Sequence, residues 1–242
     1  MKTLKNKLIA LLTFILMSCS SAPALSQSID TYIHPKAEVL LPVIKIETSK
    51  FAPKLDQPWV MPAIFDHETC PGYKSYKCWN TATELKNSRE QGVGLGQMTR
   101  TWNTNGTVRF DNLANLRKLY PKELGALDWD TFKTMPQLQI RASTILFYDE
   151  YKRLVSIKSS DDRLRMARSA YNGGGGRVAT ARSRCKLTTN CNPQIWYGNV
   201  ENHLPQSRVL DSRYGNRSMY QINVSYVKDT ERRLDKFKPY FE

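Results

Sequence analysis

The cysteines restrict the fold of this chain more than any other feature. Cys70 and Cys78 lie eight positions apart, and Cys185 and Cys191 lie six positions apart. The fifth cysteine, Cys19, lies in the N-terminal segment considered below. The other four permit three pairings, and these short separations favour two local disulfides, Cys70–Cys78 and Cys185–Cys191. The alternative is a four-cysteine zinc site, but zinc ligands usually come in pairs spaced by about two to four residues. We therefore predict two disulfides and no metal.

The N-terminus has the pattern of a secretory signal. Three lysines precede the apolar run at residues 8–17, and small residues follow that run. The run is shorter than the ~20 apolar residues that a membrane-spanning helix requires. We predict an export signal at residues 1–19, which agrees with disulfides because they form in oxidising compartments. A buried N-terminal helix is the alternative.

Two cleavage sites compete at the end of this signal. Leu16-Met17-Ser18-Cys19 resembles the signal of bacterial lipoproteins, in which the cysteine is lipidated, although Met17 is unusual at its position. Ordinary cleavage after Ala22-Pro23-Ala24 is the alternative. We predict an exported protein of the periplasm or cell envelope, and an outer-membrane lipoprotein attached to the membrane through Cys19 in the first case.

The net charge of +14 predicts binding to a polyanion. Nucleic acid is the usual partner of such a charge. The export signal argues against it, and so does the scattering of basic residues from Lys36 to Lys238 without a contiguous run. An anionic cell wall fits better, because the peptides of peptidoglycan carry carboxylates.

The remaining sequence predicts a mainly α domain. Residues 20–56 contain several prolines and one short apolar run, which indicates an extended tether before a domain at residues 57–242. Alternating strand patterns are almost absent. Apolar spacing and breakers instead predict helices at 58–68, 81–88, 136–154, 162–172 and 221–237.

Four short motifs in the domain point to a family. The chain carries, in this order, Glu68-Thr69, Gly94-Leu95-Gly96-Gln97, Ala170-Tyr171-Asn172-Gly173-Gly174 and Tyr226-Val227. They resemble the Glu-Ser, Gly-Leu-Met-Gln, Ala-Tyr-Asn-x-Gly and Tyr-Val motifs of the soluble lytic transglycosylases. The resemblance covers roughly residues 58–236. Thr69 and Gly96 depart from the pattern, and an insertion near 206–219 precedes the last motif.

The resemblance implies a lysozyme-like α+β domain with few or no strands and a groove for the glycan strands of peptidoglycan. It implies that Glu68 is the only catalytic acid and base. It also implies the substrate-binding residues. Ser88 would orient Glu68, Gln97 would contact the sugar, Tyr171 would pack the wall of the site, Asn172 would bind the N-acetyl group and Tyr226 would direct its hydroxyl towards Glu68. Alternatively, the two tyrosines are core residues and Asn172 caps a helix.

The reaction that the resemblance implies is cleavage of the β-1,4 bond between N-acetylmuramic acid (MurNAc) and N-acetylglucosamine (GlcNAc), with formation of 1,6-anhydroMurNAc and without a cofactor. Asp66 cannot be a second catalytic carboxylate on a helix, because two residues rotate it about 200° from Glu68. A hydrolase resembling goose-type lysozyme, with Glu84 or Glu90 holding a water, is one alternative. A wall-binding protein without catalysis is another.

Overall fold

The structure of this protein is a computed structural model that describes residues 28–72, 75–125 and 127–242. The predicted export signal at residues 1–19 and the lipidation candidate Cys19 lie outside the described residues. In the part that is described, no helix combines the length and the apolar composition needed to cross a membrane.

Helices dominate the described residues, as the sequence predicted. The α-helices are α1 (Pro35–Phe51), α2 (Val60–Thr69), α3 (Asn112–Leu119), α4 (Pro121–Leu124), α5 (Trp129–Thr134), α6 (Pro136–Arg153), α7 (Ser160–Gly173), α8 (Gly175–Lys186) and α9 (Met219–Arg232). The strands are β1 (Glu84–Lys86), β2 (Glu90–Val93), β3 (Met98–Trp102) and β4 (Val108–Asp111). Short 3-10 helices lie at Val200–His203, Ser212–Tyr214 and Lys238–Tyr240. The mainly α class with few strands is confirmed.

The four strands form one antiparallel sheet in the order β1-β2-β3-β4. Leu85 of β1 pairs with Gly92 of β2, which in turn pairs with Thr99 of β3. The helix predicted at 81–88 is therefore wrong. Leu85 is exposed and this short segment has no buried apolar face, so pairing with β2 decides its conformation.

Helix α1 contradicts the extended tether predicted at residues 20–56. Its buried residues follow the three-four spacing of a helix that packs on a core: Ala37, Leu41, Ile44 and Thr48. The helix packs along α6, where buried Glu47 pairs with Arg141 at 2.8 Å. The folded domain therefore begins well before the predicted boundary at residue 57.

The prolines of this segment indicated an extended chain, but two of them, Pro35 and Pro42, lie within α1. Pro35 is at the start of α1, where a missing amide hydrogen breaks no helical hydrogen bond. His34 caps this end by accepting a hydrogen bond from the Lys36 amide at 3.2 Å. Pro42 removes one bond in the interior, and burial of the apolar face stabilises the helix despite that loss.

The main core surrounds α2, which is buried along Val60–Phe65. Helices α1 and α9 pack against it, and a segment that is apolar on all sides is stable only in such an interior. A smaller core lies beneath the sheet, where Val93 and Met98 pack with Phe132 of α5. The turn between β2 and β3 joins the two cores, because its Leu95 belongs to the first.

Both predicted disulfides are present. Cys70–Cys78 joins the end of α2 to the segment that leads to the sheet. Cys185–Cys191 closes the turn after α8. Each disulfide closes one short loop. Burial of apolar residues in the two cores, and not the disulfides, therefore holds the helices together.

Removal of each disulfide tests this division. We expect Cys70→Ser/Cys78→Ser and Cys185→Ser/Cys191→Ser each to lower the free energy of unfolding by about 2–3 kcal/mol, since each frees a short loop in the unfolded chain. Urea titration followed by circular dichroism measures this. Loss of all helical signal in either variant before urea is added would contradict the local role.

Candidate active site

Glu68 lies in the last turn of α2, directly after the buried apolar stretch. Its side chain is half-buried, and burial raises the pKa of its carboxyl group, while His67 and Tyr226 partly oppose the rise. A carboxyl group with a raised pKa retains its proton closer to neutral pH and can donate it. No carboxylate of the described residues is among the groups that shift this pKa.

Tyr226 on α9 lies next to this acid. Its side chain is buried and its ring packs edge-on against His67, with 4.6 Å between the ring centres. Its hydroxyl makes no hydrogen bond of normal geometry to any described residue. It faces the Glu68 carboxyl closely enough that burial and the Glu68 charge together raise the pKa of Tyr226 well above its usual value. A buried, unsatisfied hydroxyl in this position is available to the acid or to a ligand.

Tyr171 on α7 also lies near Glu68. Its hydroxyl donates a hydrogen bond to the Gly96 carbonyl at 2.7 Å, and burial followed by the Glu68 charge raises its pKa. The half-buried ring also packs on Phe147, with 6.2 Å between ring centres. Tyr171 is therefore more than a core residue, because its hydroxyl fixes the glycine turn beside the acid.

The structure leaves no room for a side chain at position 96. A Cβ atom at this position would lie 2.6 Å from the Tyr171 hydroxyl and closer still to the Ser143 hydroxyl. A methionine side chain cannot occupy that space. The turn approaches α6 and α7 so closely only because residue 96 has no side chain.

Gln97 serves the turn itself. Its amide nitrogen donates to the carbonyls of Gly94 at 2.8 Å and Thr83 at 3.3 Å, and its backbone is left-handed, with φ of 46°. The side chain is half-buried. These bonds occupy its amide nitrogen. Contact between Gln97 and a sugar stays a prediction.

Asn172 lies in the last turn of α7 and its side chain is exposed. The C-cap of this helix is Gly174, with φ of 92°, so the alternative role of Asn172 as a helix cap is not needed. Its amide makes no hydrogen bond to a described residue, and it therefore remains free for a ligand next to Tyr171.

Ser88 is the predicted site residue that lies apart from the others. It is exposed in the turn between β1 and β2, and no hydrogen bond joins it to Glu68 within the described ranges. Strand β2 runs from this turn to the glycine turn, and its four residues span about 13 Å. The predicted orienting role of Ser88 is therefore not supported by a contact.

The other nearby carboxylates have their own partners. Asp66 accepts hydrogen bonds from Trp79 at 2.8 Å, Arg233 at 2.8 Å and Lys236 at 2.6 Å. It therefore points away from Glu68, as helical geometry predicted. Glu84 is exposed, and its hydrogen bond with Gln91 and the nearby Lys133 hold its pKa below the usual value.

The insertion before the last motif forms a strap, defined as residues 206–218. The Tyr214 hydroxyl of the strap donates to Glu90 of β2 at 3.1 Å. The strap thus contacts the sheet before the chain enters α9. Tyr226 of the last motif still lies next to Glu68. Ser218 and Gln221 form a capping box that starts α9 in register.

Several residues that sequence reasoning missed hold these parts together. Gln139 of α6 accepts from the Leu95 amide at 3.1 Å and fixes the glycine turn to the helix. Asn223 and Ser169 exchange hydrogen bonds of 2.6 and 3.0 Å between α9 and α7. Arg168 is buried between the same helices, where burial lowers its pKa to about 10. No local pattern reveals such partners, because they lie far apart in sequence.

Neither a scan against protein-family models nor a search of curated proteins finds a match to this chain. The four motifs and the geometry of Glu68, Tyr226, Tyr171 and the glycine turn are therefore what indicates the chemistry of this chain.

The glycine turn gives a direct test of that geometry. We expect Gly96→Ala to lower the free energy of unfolding by about 1–3 kcal/mol, because the added methyl group overlaps Tyr171 and Ser143. Gly176→Ala in α8 is the matched control, since its Cβ meets open space and alanine favours helix. Thermal unfolding of both variants measures the difference. Equal stability of Gly96→Ala and wild type would contradict the close packing.

Proposed function

We propose that this protein is a peptidoglycan lytic transglycosylase that cleaves the β-1,4 bond between MurNAc and GlcNAc and forms 1,6-anhydroMurNAc. The environment of Glu68 is the observation that supports this proposal most strongly. Its pKa is raised by burial, Tyr226 faces it, and no other carboxylate of the described residues acts on that pKa. Together with the four motifs, this favours a one-carboxylate mechanism.

In the first step Glu68 acts as a general acid. Its proton passes to the oxygen between the two sugars as the bond from that oxygen to C1 of the muramic sugar breaks. Positive charge develops at C1. The N-acetyl carbonyl of the same sugar stabilises it, a role that the family resemblance implies and that a second carboxylate performs in most glycosidases.

In the second step Glu68 acts as a base. It accepts the proton of the C6 hydroxyl of the muramic sugar, and the C6 oxygen forms a new bond to C1. Glu68 thus ends the cycle protonated, one bond has replaced another, and no water is consumed. The Tyr226 hydroxyl lowers the pKa of Glu68 and so stabilises the carboxylate between the two steps.

The hydrolase alternative requires a carboxylate that holds a water opposite the acid. Glu84 pairs with Gln91 and Lys133, and Glu90 accepts from Tyr214 and Asn87. Both carboxylates are thus engaged in and around the sheet. A wall-binding protein without catalysis would gain nothing from a raised glutamate pKa.

The proposed place of action is outside the cytoplasm. The two disulfides support export, and the basic charge favours the anionic wall. We propose the periplasm or cell envelope, with Cys19 as the lipid anchor and peptidoglycan strands as the partner.

Replacement of the acid tests the assignment. We expect Glu68→Gln to keep the fold and wall binding but to lose about 10²- to 10⁴-fold in cleavage rate, the usual contribution of general acid catalysis. Glu84→Gln and Glu90→Gln are matched controls that should keep activity. Release of soluble fragments from purified peptidoglycan measures the rate. Equal rates for Glu68→Gln and wild type would overturn the role of Glu68, and loss of activity in a control would favour the hydrolase.

The pH profile tests the role of Tyr226. Activity should fall as the pH rises through the raised pKa of Glu68, since the acid must carry its proton. The Tyr226 hydroxyl lowers that pKa, so Tyr226→Phe should move the fall to higher pH. Tyr148→Phe, on α6, is the control and should leave the profile unchanged. A shift to lower pH in Tyr226→Phe would contradict the contact.

A further inference from the structure

An open cavity of about 410 Å³ is lined in part by His67, the residue that precedes Glu68. Residues at the end of α2, on one face of α9 and in the strap line it. All six lining residues are polar or charged: His67, Arg217, Ser225, Lys228, Asp229 and Arg232. None of them has a part in the proposed mechanism.

The one carboxylate in this lining is already neutralised. Asp229 is 2.5 Å from Nδ1 of His67 and 3.0 Å from Arg233, and it also pairs with Arg232. These partners lower the pKa of Asp229. They fix the wall of the cavity and offset the negative charge of the ionised Asp229 carboxylate.

Two cations of the lining have no acidic partner among the described residues. The Arg217 side chain donates only to the Tyr214 carbonyl, at 3.5 Å. The Lys228 ammonium lies 5.9 Å from the centre of the Tyr197 ring. Both side chains are exposed, so the cavity offers two uncompensated positive charges to a ligand from outside.

One residue of the cavity lining adjoins the proposed acid. His67 directly precedes Glu68 in α2, and its ring packs against Tyr226, which faces the acid. In the proposed reaction the muramic sugar places C1 beside Glu68. That same sugar carries the stem peptide, so the first carboxylates of the peptide must leave the site within about one sugar ring of the acid.

We propose that this cavity binds a carboxylate of the stem peptide on the muramic sugar that is cleaved, through Arg217 and Lys228. The inference rests on the proposed function, which supplies the substrate class. It adds a preference: glycan strands that carry peptides are better substrates than strands from which the peptides have been removed.

The test compares intact peptidoglycan strands with strands stripped of peptides by an amidase. Wild type should show a higher kcat/KM on the intact strands. The double variant Arg217→Gln/Lys228→Gln should reduce this preference about three- to tenfold, mainly through KM, which is the range expected for two exposed ion pairs. Arg217→Lys/Lys228→Arg should restore it, because the charges return.

A matched control separates a local effect from a loss of overall charge. Arg184→Gln/Lys186→Gln removes the same two charges from the exposed end of α8. It should keep the wild-type preference. An equal loss of preference in this control, or an unchanged preference in Arg217→Gln/Lys228→Gln, would overturn the proposed site.

A binding measurement distinguishes failure of this inference from failure of the proposed function. Glu68→Gln is titrated by NMR with a disaccharide that carries the tetrapeptide and with the same disaccharide without it. Tighter binding of the peptide form, lost when Arg217 and Lys228 are replaced, supports the cavity even if wild type cleaves neither strand. Equal binding of both probes overturns the cavity even if wild type cleaves both strands.

Discussion

Asp66 is a buried carboxylate between two cations, and the site depends on this cluster. It binds Arg233 at 2.8 Å and Lys236 at 2.6 Å, beyond the end of α9. Loss of one partner from such a buried pair typically costs about 3–5 kcal/mol. Because successive helical residues are rotated by about 100°, an anchored Asp66 directs His67 towards Asp229 and Glu68 towards Tyr226. Three successive residues of α2 therefore have three roles: Asp66 anchors the helix end, His67 lines the cavity and Glu68 is the proposed acid.

The position of the acid has consequences for the rest of the site. Tyr226 and Tyr171 lie on different helices, and the hydrogen bonds between Ser169 and Asn223 keep those helices in register. The Tyr171 hydroxyl donates to the Gly96 carbonyl. This hydrogen bond connects the turn between β2 and β3 to α7 in the helical core. Buried polar contacts of this kind specify one arrangement, since an unpaired member would be costly.

Sequence patterns predicted those features that depend on local spacing. The disulfide of Cys70 followed from cysteine separation, and the apolar periodicity of α6, α7 and α9 followed from burial of one helix face. Patterns failed where distant contacts decide. Helix α1 was missed because its packing on α6 outweighs its prolines, and the contact assumed for Ser88 is absent because β2 carries it away from the acid. Gln139 carried no recognisable signal, because its role depends on a turn 44 positions away.

In the proposed reaction Glu68 acts without water, and the isotope content of the product tests this directly. Purified peptidoglycan is digested by the protein in water enriched in ¹⁸O, and the fragments are analysed by mass spectrometry. We expect fragments that end in 1,6-anhydroMurNAc and carry no ¹⁸O at C1 of the muramic sugar. Fragments with reducing ends labelled by ¹⁸O would contradict the proposed reaction and would identify a hydrolase.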